Sequence, residues 1–195
     1  GATGFGNGKD GVSILDAVGT LLGGNAAGEG NTIVGNAEYG VQITSTSTDC
    51  LSQMLTEMHK NAIGVFQAIQ LSQGPGKSAP NAPASFSAIG NLLGGLKVNN
   101  SAGNILGKLG VGGVLSNLIG GNSGPGVFLT GPCAKFNKLF NNGIGTDMAG
   151  TAGLGNTGEG VFLEGASENE IGGTGSALGN VISGNLKDGI KLKSL

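Results

Sequence analysis

Asn180-Val181-Ile182-Ser183-Gly184-Asn185-Leu186-Lys187-Asp188-Gly189-Ile190 is one of three ungapped copies of the pattern Asn-x-Ile-x-Gly-Asn-x-x-x-Gly-Val/Ile. The others run from Asn31 to Val41 and from Asn117 to Val127. Each places an apolar residue third (Ile33, Ile119, Ile182) and Gly-Asn fifth and sixth (Gly35-Asn36, Gly121-Asn122, Gly184-Asn185). A second apolar strand follows: Val41/Ile43, Val127/Leu129, Ile190/Leu192. Self-similarity of this kind marks a repeat architecture, in which each unit buries its apolar side by stacking on the next.

The repeat extends outward from that core. Residues 2–43 align with 151–192 at a constant offset of 149, matching Asn7 to Asn156 and Leu22-Gly23-Gly24 to Ile171-Gly172-Gly173. A weaker copy is Leu92-Leu93-Gly94-Gly95 followed by Gly103-Asn104-Ile105-Leu106-Gly107. Apolar residues alternate over two or three positions, which is strand period, and Gly and Asn supply the turns. No two strands are joined by a two-residue Asn-Gly hairpin turn. A chain that turns the same way each time stacks like strands in parallel, which places Asn36, Asn122 and Asn185 at one corner as an amide ladder. The expectation is an all-β stack of about eight coils of roughly 24 residues. It forms one domain over 1–195, with a loop excursion at 71–90 carrying Pro75, Pro80 and Pro83.

Composition narrows the function. Forty-two glycines without a Gly-X-Y period exclude collagen, and 38% apolar with only 11% charged residues argues for order. The ten basic residues are all lysine and scattered, with net charge −2, so the basic footprint of a nucleic-acid binder is missing. No run approaches the ~18 apolar residues of a membrane span. The start at Gly1 rather than Met reads as a processed or incomplete product.

The run Gly158 to Thr174 followed by Gly179 to Asn185 resembles the right-handed parallel β-helix repeat proteins, common in large secreted and cell-surface bacterial proteins. Asn142-Gly143-Ile144-Gly145-Thr146-Asp147 with Gly150-Thr151 resembles the longer loop of those repeats. The resemblance implies a solenoid at an extracellular or cell-surface location. It leaves function open, because the fold carries lyases, adhesins and inert spacers.

Candidate chemistry is sparse. The family's lyases use an arginine or lysine base beside calcium-binding acids, and its hydrolases use clustered aspartates. Here arginine is missing, and Asp10, Asp16, Asp49, Asp147 and Asp188 are dispersed. Glu159, Glu164, Glu168 and Glu170 read as a solvated acidic face, and His59 as a loop or surface histidine. Asp147 in its glycine loop is a weak cation candidate, Thr44 to Thr48 lacks the repetition of an ice-binding face, and Asn99-Asn100-Ser101 is a lone glycosylation sequon. No cofactor or metal is expected. Cys50 and Cys133, 83 positions apart, span three to four such coils, or ~15 Å at the ~4.8 Å strand spacing. A disulfide needs Cα atoms within about 7 Å, so unpaired cysteines are expected, with an internal or intersubunit bridge as the alternative.

Two features rise above this background. Phe66, Phe128 and Phe162 occupy the outward position of the Gly-Val-x-Leu strand, where a row of rings either docks a partner or is covered by loops such as 147–154. Neither end shows an amphipathic cap, so either the chain is cut from a longer repeat protein or its open edges serve assembly. The expected role is a non-enzymatic structural subunit that polymerises head to tail. Its end-to-end contacts would be Gly11, Val12 and Ile14 against Ile190 and Leu192, with the phenylalanines as lateral contacts. The alternatives are an adhesin or tailspike-like glycan-binding module and, third, a polysaccharide-cleaving enzyme.

Overall fold

A computed structural model describes residues 6–24, 26, 28–50, 55–67, 86–108, 115–147, 149–151, 153–175 and 177–194. Most of the 71–90 excursion, together with Gln53 and Met54, lies outside the described residues. The described residues are all-β, with no helix.

The chain visits three parallel sheets in a fixed cyclic order. The first passage makes β1 (Val12–Leu15), β2 (Thr20–Gly23) and β3 (Thr32–Ile33), and the second makes β4 (Tyr39–Thr44), β5 (Thr56–His59) and β6 (Ala62–Ile63). An antiparallel pair, β7 (Val65–Gln67) and β8 (Phe86–Ala88), interrupts the cycle. The third passage gives β9 (Gly94–Asn99), β10 (Ile105–Leu106) and β11 (Leu118–Ile119), and the fourth β12 (Val127–Thr130), β13 (Lys138–Leu139) and β14 (Gly143–Ile144). The fifth gives β15 (Val161–Glu164), β16 (Glu170–Ile171) and β17 (Val181–Ile182), and β18 (Ile190–Lys193) begins a sixth.

Sheet A orders β1-β4-β9-β12-β15-β18, sheet B orders β2-β5-β10-β13-β16, and sheet C orders β3-β6-β11-β14-β17. Five passages and one further strand replace the expected eight coils. Successive ladder asparagines are 29, 55, 31, 34 and 29 residues apart, so each turn is longer than anticipated and one carries the excursion. The β7–β8 pair is antiparallel and stands outside the three stacked sheets.

Alternation decides which side chains fill the core. Along sheet A, Val41, Leu96, Val127 and Val161 stack in one inward column, and Ile43, Val98, Leu129 and Leu163 in the next. Sheet B contributes Met58, Leu106 and Leu139, and sheet C contributes Ile33, Ile63, Ile119 and Ile144. The glycine before each sheet A strand has a steric cause. A Cβ at Gly11, Gly40, Gly95, Gly126 or Gly160 would meet the Nδ2 of the next turn's ladder asparagine at 2.6–2.9 Å.

The corners hold the polar groups. Between sheets C and A, Asn7, Asn36, Asn91, Asn122, Asn156 and Asn185 form one ladder, each Nδ2 donating to the next Oδ1 at 2.7–2.8 Å. The backbone N–H of each also donates to that oxygen. Between B and C, Asn31, Asn61, Asn117, Asn142 and Asn180 form a second. Between A and B, a third joins Asn104, Asn137 and Asn169. All three ladders run the same way, donor below and acceptor above. Buried amides are costly unless paired, and here each turn supplies the partner.

Three local readings change. Asn142–Asp147 is not a long loop: Asn142 is a ladder residue, and Gly143–Ile144 is a strand of sheet C. The weaker copy is shifted around the section, since Gly94 opens β9 in sheet A and Ile105–Leu106 lies in sheet B. Cys50 and Cys133 form a disulfide with Cα atoms 4.8 Å apart. Both lie in the A-to-B connections, after β4 and β12, whose strands are only two places apart in sheet A. The excursion consumed the residues that sequence spacing had assigned to additional coils.

Candidate functional site

The outward face of sheet A gathers most of the side chains with interaction potential. One outward column reads Ser13, Gln42, Lys97, Phe128, Phe162, Lys191. Phe128 and Phe162 stack with centroids 5.1 Å apart and planes 7° from parallel. Lys97 lies 5.8 Å from the Phe128 centroid and Lys191 lies 5.7 Å from that of Phe162. The four residues form a lysine-capped aromatic pair with both ring faces of each phenylalanine engaged. Lys97 also lies 5.2 Å from the Tyr39 ring. Burial, then the charges of Asp10 and Glu38, push the Tyr39 hydroxyl pKa up.

Phe66 does not join this row. It lies in β7, whose antiparallel partner is β8, so its side chain is separate from the sheet A column. The sequence misassigned it because Gly64-Val65-Phe66 repeats the Gly-Val-Phe phrase of the sheet A strands.

The acids do not form one solvated face: Glu159 is buried and Glu164 partly so, whereas Glu168 and Glu170 are exposed. Glu159 is only 4% exposed and faces Lys191 at 3.3 Å and Lys187 at 3.8 Å. Burial alone would raise its pKa, but its own backbone N–H and the two lysines outweigh that and hold it below the ordinary value. Glu164 pairs with Lys193 at 2.7 Å and Glu168 with Lys135 at 3.2 Å. Glu170, in β16, shares no site with them. Each of these pairs ties one turn to the next.

His59 is buried in β5 at 3% exposure, not on a surface loop; its Nε2 faces the Glu57 carboxylate at 3.1 Å, and Nδ1 has no hydrogen-bond partner. No group of three His, Cys, Asp or Glu is placed to hold a metal among the described residues. Asp16, which lines a cavity, accepts hydrogen bonds from Thr46 and Ser45, which lower its pKa. That cavity, about 250 Å³, lies at the A/B corner against Ile14, Ile43, Thr44, Leu55, Ser101 and Asn104. Asp147 bonds Thr151 through both carboxylate oxygens.

The two ends carry the remaining candidates. Gly11, Val12 and Ile14 lie on or beside β1, and Ile190 and Leu192 lie on β18, at opposite edges of sheet A. Ile190 is 44% and Leu192 74% exposed, although both occupy inward columns that are buried from β4 to β15. Sequence reasoning had singled out neither Lys97 nor Lys191, and had given Asn169 and Asn180 no place in a ladder. The lysines show no motif, and the asparagines share the Asn-x-Ile/Leu phrase with two corners at once.

Compared with models of known protein families, with curated proteins and with solved structures, the chain matches none. No helix among the described residues is long and apolar enough to cross a membrane.

Proposed function

We propose that the chain is a right-handed parallel β-helix with a structural, non-enzymatic role: a self-stacking subunit of an extracellular filament or surface layer. The winding hand follows the general preference of parallel crossovers. The observation that carries the role is the edge at β18, where Ile190 and Leu192 stand exposed in columns that a further strand would cover. The lower edge offers Val12 and Ile14 in the matching columns, so β1 of a second copy seats on β18 with apolar side chains in register. Ladder polarity agrees: every Nδ2 in it donates upward to the next Oδ1, from Asn7 at the lower end to Asn185 at the upper. A head-to-tail contact of this kind propagates. The disulfide supports an oxidising, extracellular setting. Against glycan docking, the faces of Phe128 and Phe162 are occupied by each other and by lysines.

Gly189→Ala tests the reading cleanly. A Cβ at Gly189 meets nothing closer than Ile182 Cγ2 at 3.8 Å, whereas the equivalent glycines beneath a further turn have no such room. The substitution should leave the fold intact and abolish stacking. Electron microscopy and sedimentation at high concentration should show wild-type rods and monomeric Gly189→Ala protein. Wild-type protein that stays monomeric would end the proposal.

A further inference from the structure

The A-to-B connections of the first and third turns are short, residues 16–19 and 100–104, whereas that of the second runs through 45–55. Ser45 keeps its place in the stack, its N–H donating to Asn99 O. Beyond it the chain climbs. Ser47 O accepts from Asn100 Nδ2 at 3.3 Å, and Cys50 bonds Cys133 of the fourth turn. The corner that the second turn would otherwise fill is the cavity of about 250 Å³, with Ala17 and Val18 of the first turn below and Ser101 and Asn104 of the third above. It lies between turns, so neither edge of the stack creates it.

Its lining divides by chemistry. Ile14, Ile43 and Leu55 supply apolar surface, and Asp16 is the one charged side chain. The Asp16 carboxylate is held in place: Oδ1 accepts from Thr46 N–H at 2.8 Å and from Ser45 Oγ at 3.1 Å, and Oδ2 from Thr46 Oγ1 at 2.6 Å. A carboxylate offers about four lone-pair positions, so one on Oδ2 is left over. No lysine pairs with Asp16 among the described residues. Thr44 Oγ1, on the same lining, is buried without a hydrogen-bond partner. A buried hydroxyl in that state is costly and is satisfied by any ligand donor that reaches it.

We propose that this cavity is a binding site for a small primary ammonium compound, its head group at Asp16 and Thr44 and its aliphatic body against Ile14, Ile43 and Leu55. An ammonium brings three donors and no acceptor, which suits the open carboxylate position and the unpaired hydroxyl oxygen together. A neutral alcohol of the same length can satisfy Thr44 but forgoes the charge-assisted bond to Asp16. A carboxylate meets Asp16 with like charge and is excluded. Size sets the body: a cavity of roughly 150 Å³ takes benzene, so this one holds a chain of about six carbons with its head group. The site is independent of end-to-end stacking and stands whether or not the protein polymerises.

The test titrates the intact protein with hexylammonium chloride, 1-hexanol and sodium hexanoate, followed by amide NMR. Hexylammonium should give saturable shifts at Thr44, Ser101 and Asn104. Hexanol should bind about tenfold more weakly, the loss expected for one hydrogen bond to a charged group, and hexanoate should not saturate. Asp16→Asn keeps an acceptor for Thr46 and should bring hexylammonium and hexanol to equal affinity. Ala17 is exposed, so Ala17→Phe adds a ring to the lining from outside the core and should weaken both ligands alike. Equal affinity of the two ligands for the wild type would overturn the proposal. So would the absence of saturable shifts at these residues, a preference for ammonium that survives Asp16→Asn, or binding untouched by Ala17→Phe.

Discussion

The C/A and A/B corners solve the same problem with different completeness. At C/A, six asparagines give one amide per turn, and the four between Asn7 and Asn185 are buried and bonded on both sides. At A/B, the equivalent positions are Thr20, Thr56, Asn104, Asn137 and Asn169. A threonine hydroxyl is too short to reach the next turn. Thr56 N–H still donates to Asn104 Oδ1 at 3.2 Å, but Thr56 Oγ1 is buried without a partner. The cavity and the Cys50–Cys133 bond both occur at this corner. Where the ladder fails, a covalent link spans the turns instead.

The largest effect should come from removing that link. Closing an 83-residue loop lowers the entropy of the unfolded chain by an amount worth about 4 kcal/mol. Cys50→Ser with Cys133→Ser should lower the stability read by urea denaturation by that order. Hydrogen exchange should quicken at Thr56 and Asn104 more than at Asn36 and Asn122. A uniform rise across both corners would mean that the disulfide is no local compensation.

Asn122→Ala should cost somewhat less, about 3 kcal/mol, because it strands several buried groups at once. Asn122 Oδ1 accepts from the N–H and Nδ2 of Asn91, and its own Nδ2 reaches Asn156 Oδ1, Ile63 O and Gly120 O. Asn169→Ala, at the open end of the third ladder, should cost only about 1 kcal/mol. Equal losses in parallel denaturation curves would show that ladder position is irrelevant.

The reverse change sharpens the contrast. Thr56→Asn inserts the missing amide between Thr20 and Asn104, removes the unpartnered hydroxyl and fills part of the adjacent space. A gain of about 1 kcal/mol is expected in the same assay. No gain would indicate that the corner has relaxed around threonine and that the cavity has another cause.

This contrast also marks what could be read from the sequence. The strand alternation, the parallel arrangement and the corner shared by Asn36, Asn122 and Asn185 follow from local patterns, because each turn repeats the same steric problem at Gly11, Gly40 and Gly126. The turn count did not follow. Asn-x-Ile/Leu serves both the A/B and B/C corners, so Asn104 and Asn142 fit several places around the section. Phe66 carried the right local phrase on the wrong strand. Cys50 and Cys133 looked too distant because chain length was converted into height, whereas the excursion after β7 adds residues without adding a rung.

The smallest expected effect is a pH dependence at the upper end. Glu159 belongs to the fifth turn and Lys187 and Lys191 to the sixth, so the cluster fastens β18 to β15. The Glu159 pKa is lowered in the folded protein, which means that the folded state binds its proton less readily than the unfolded chain does. The stabilisation is therefore fully present above the unfolded value of 4.5 and is lost as pH falls through the lower folded value. Exchange at Ile190 and Leu192 should accelerate over that acidic window in the wild type. In Glu159→Gln it should already be faster at neutral pH and change less on acidification, since the titrating group is gone. Acceleration of the same size in both proteins would show that Glu159 is not the group responsible.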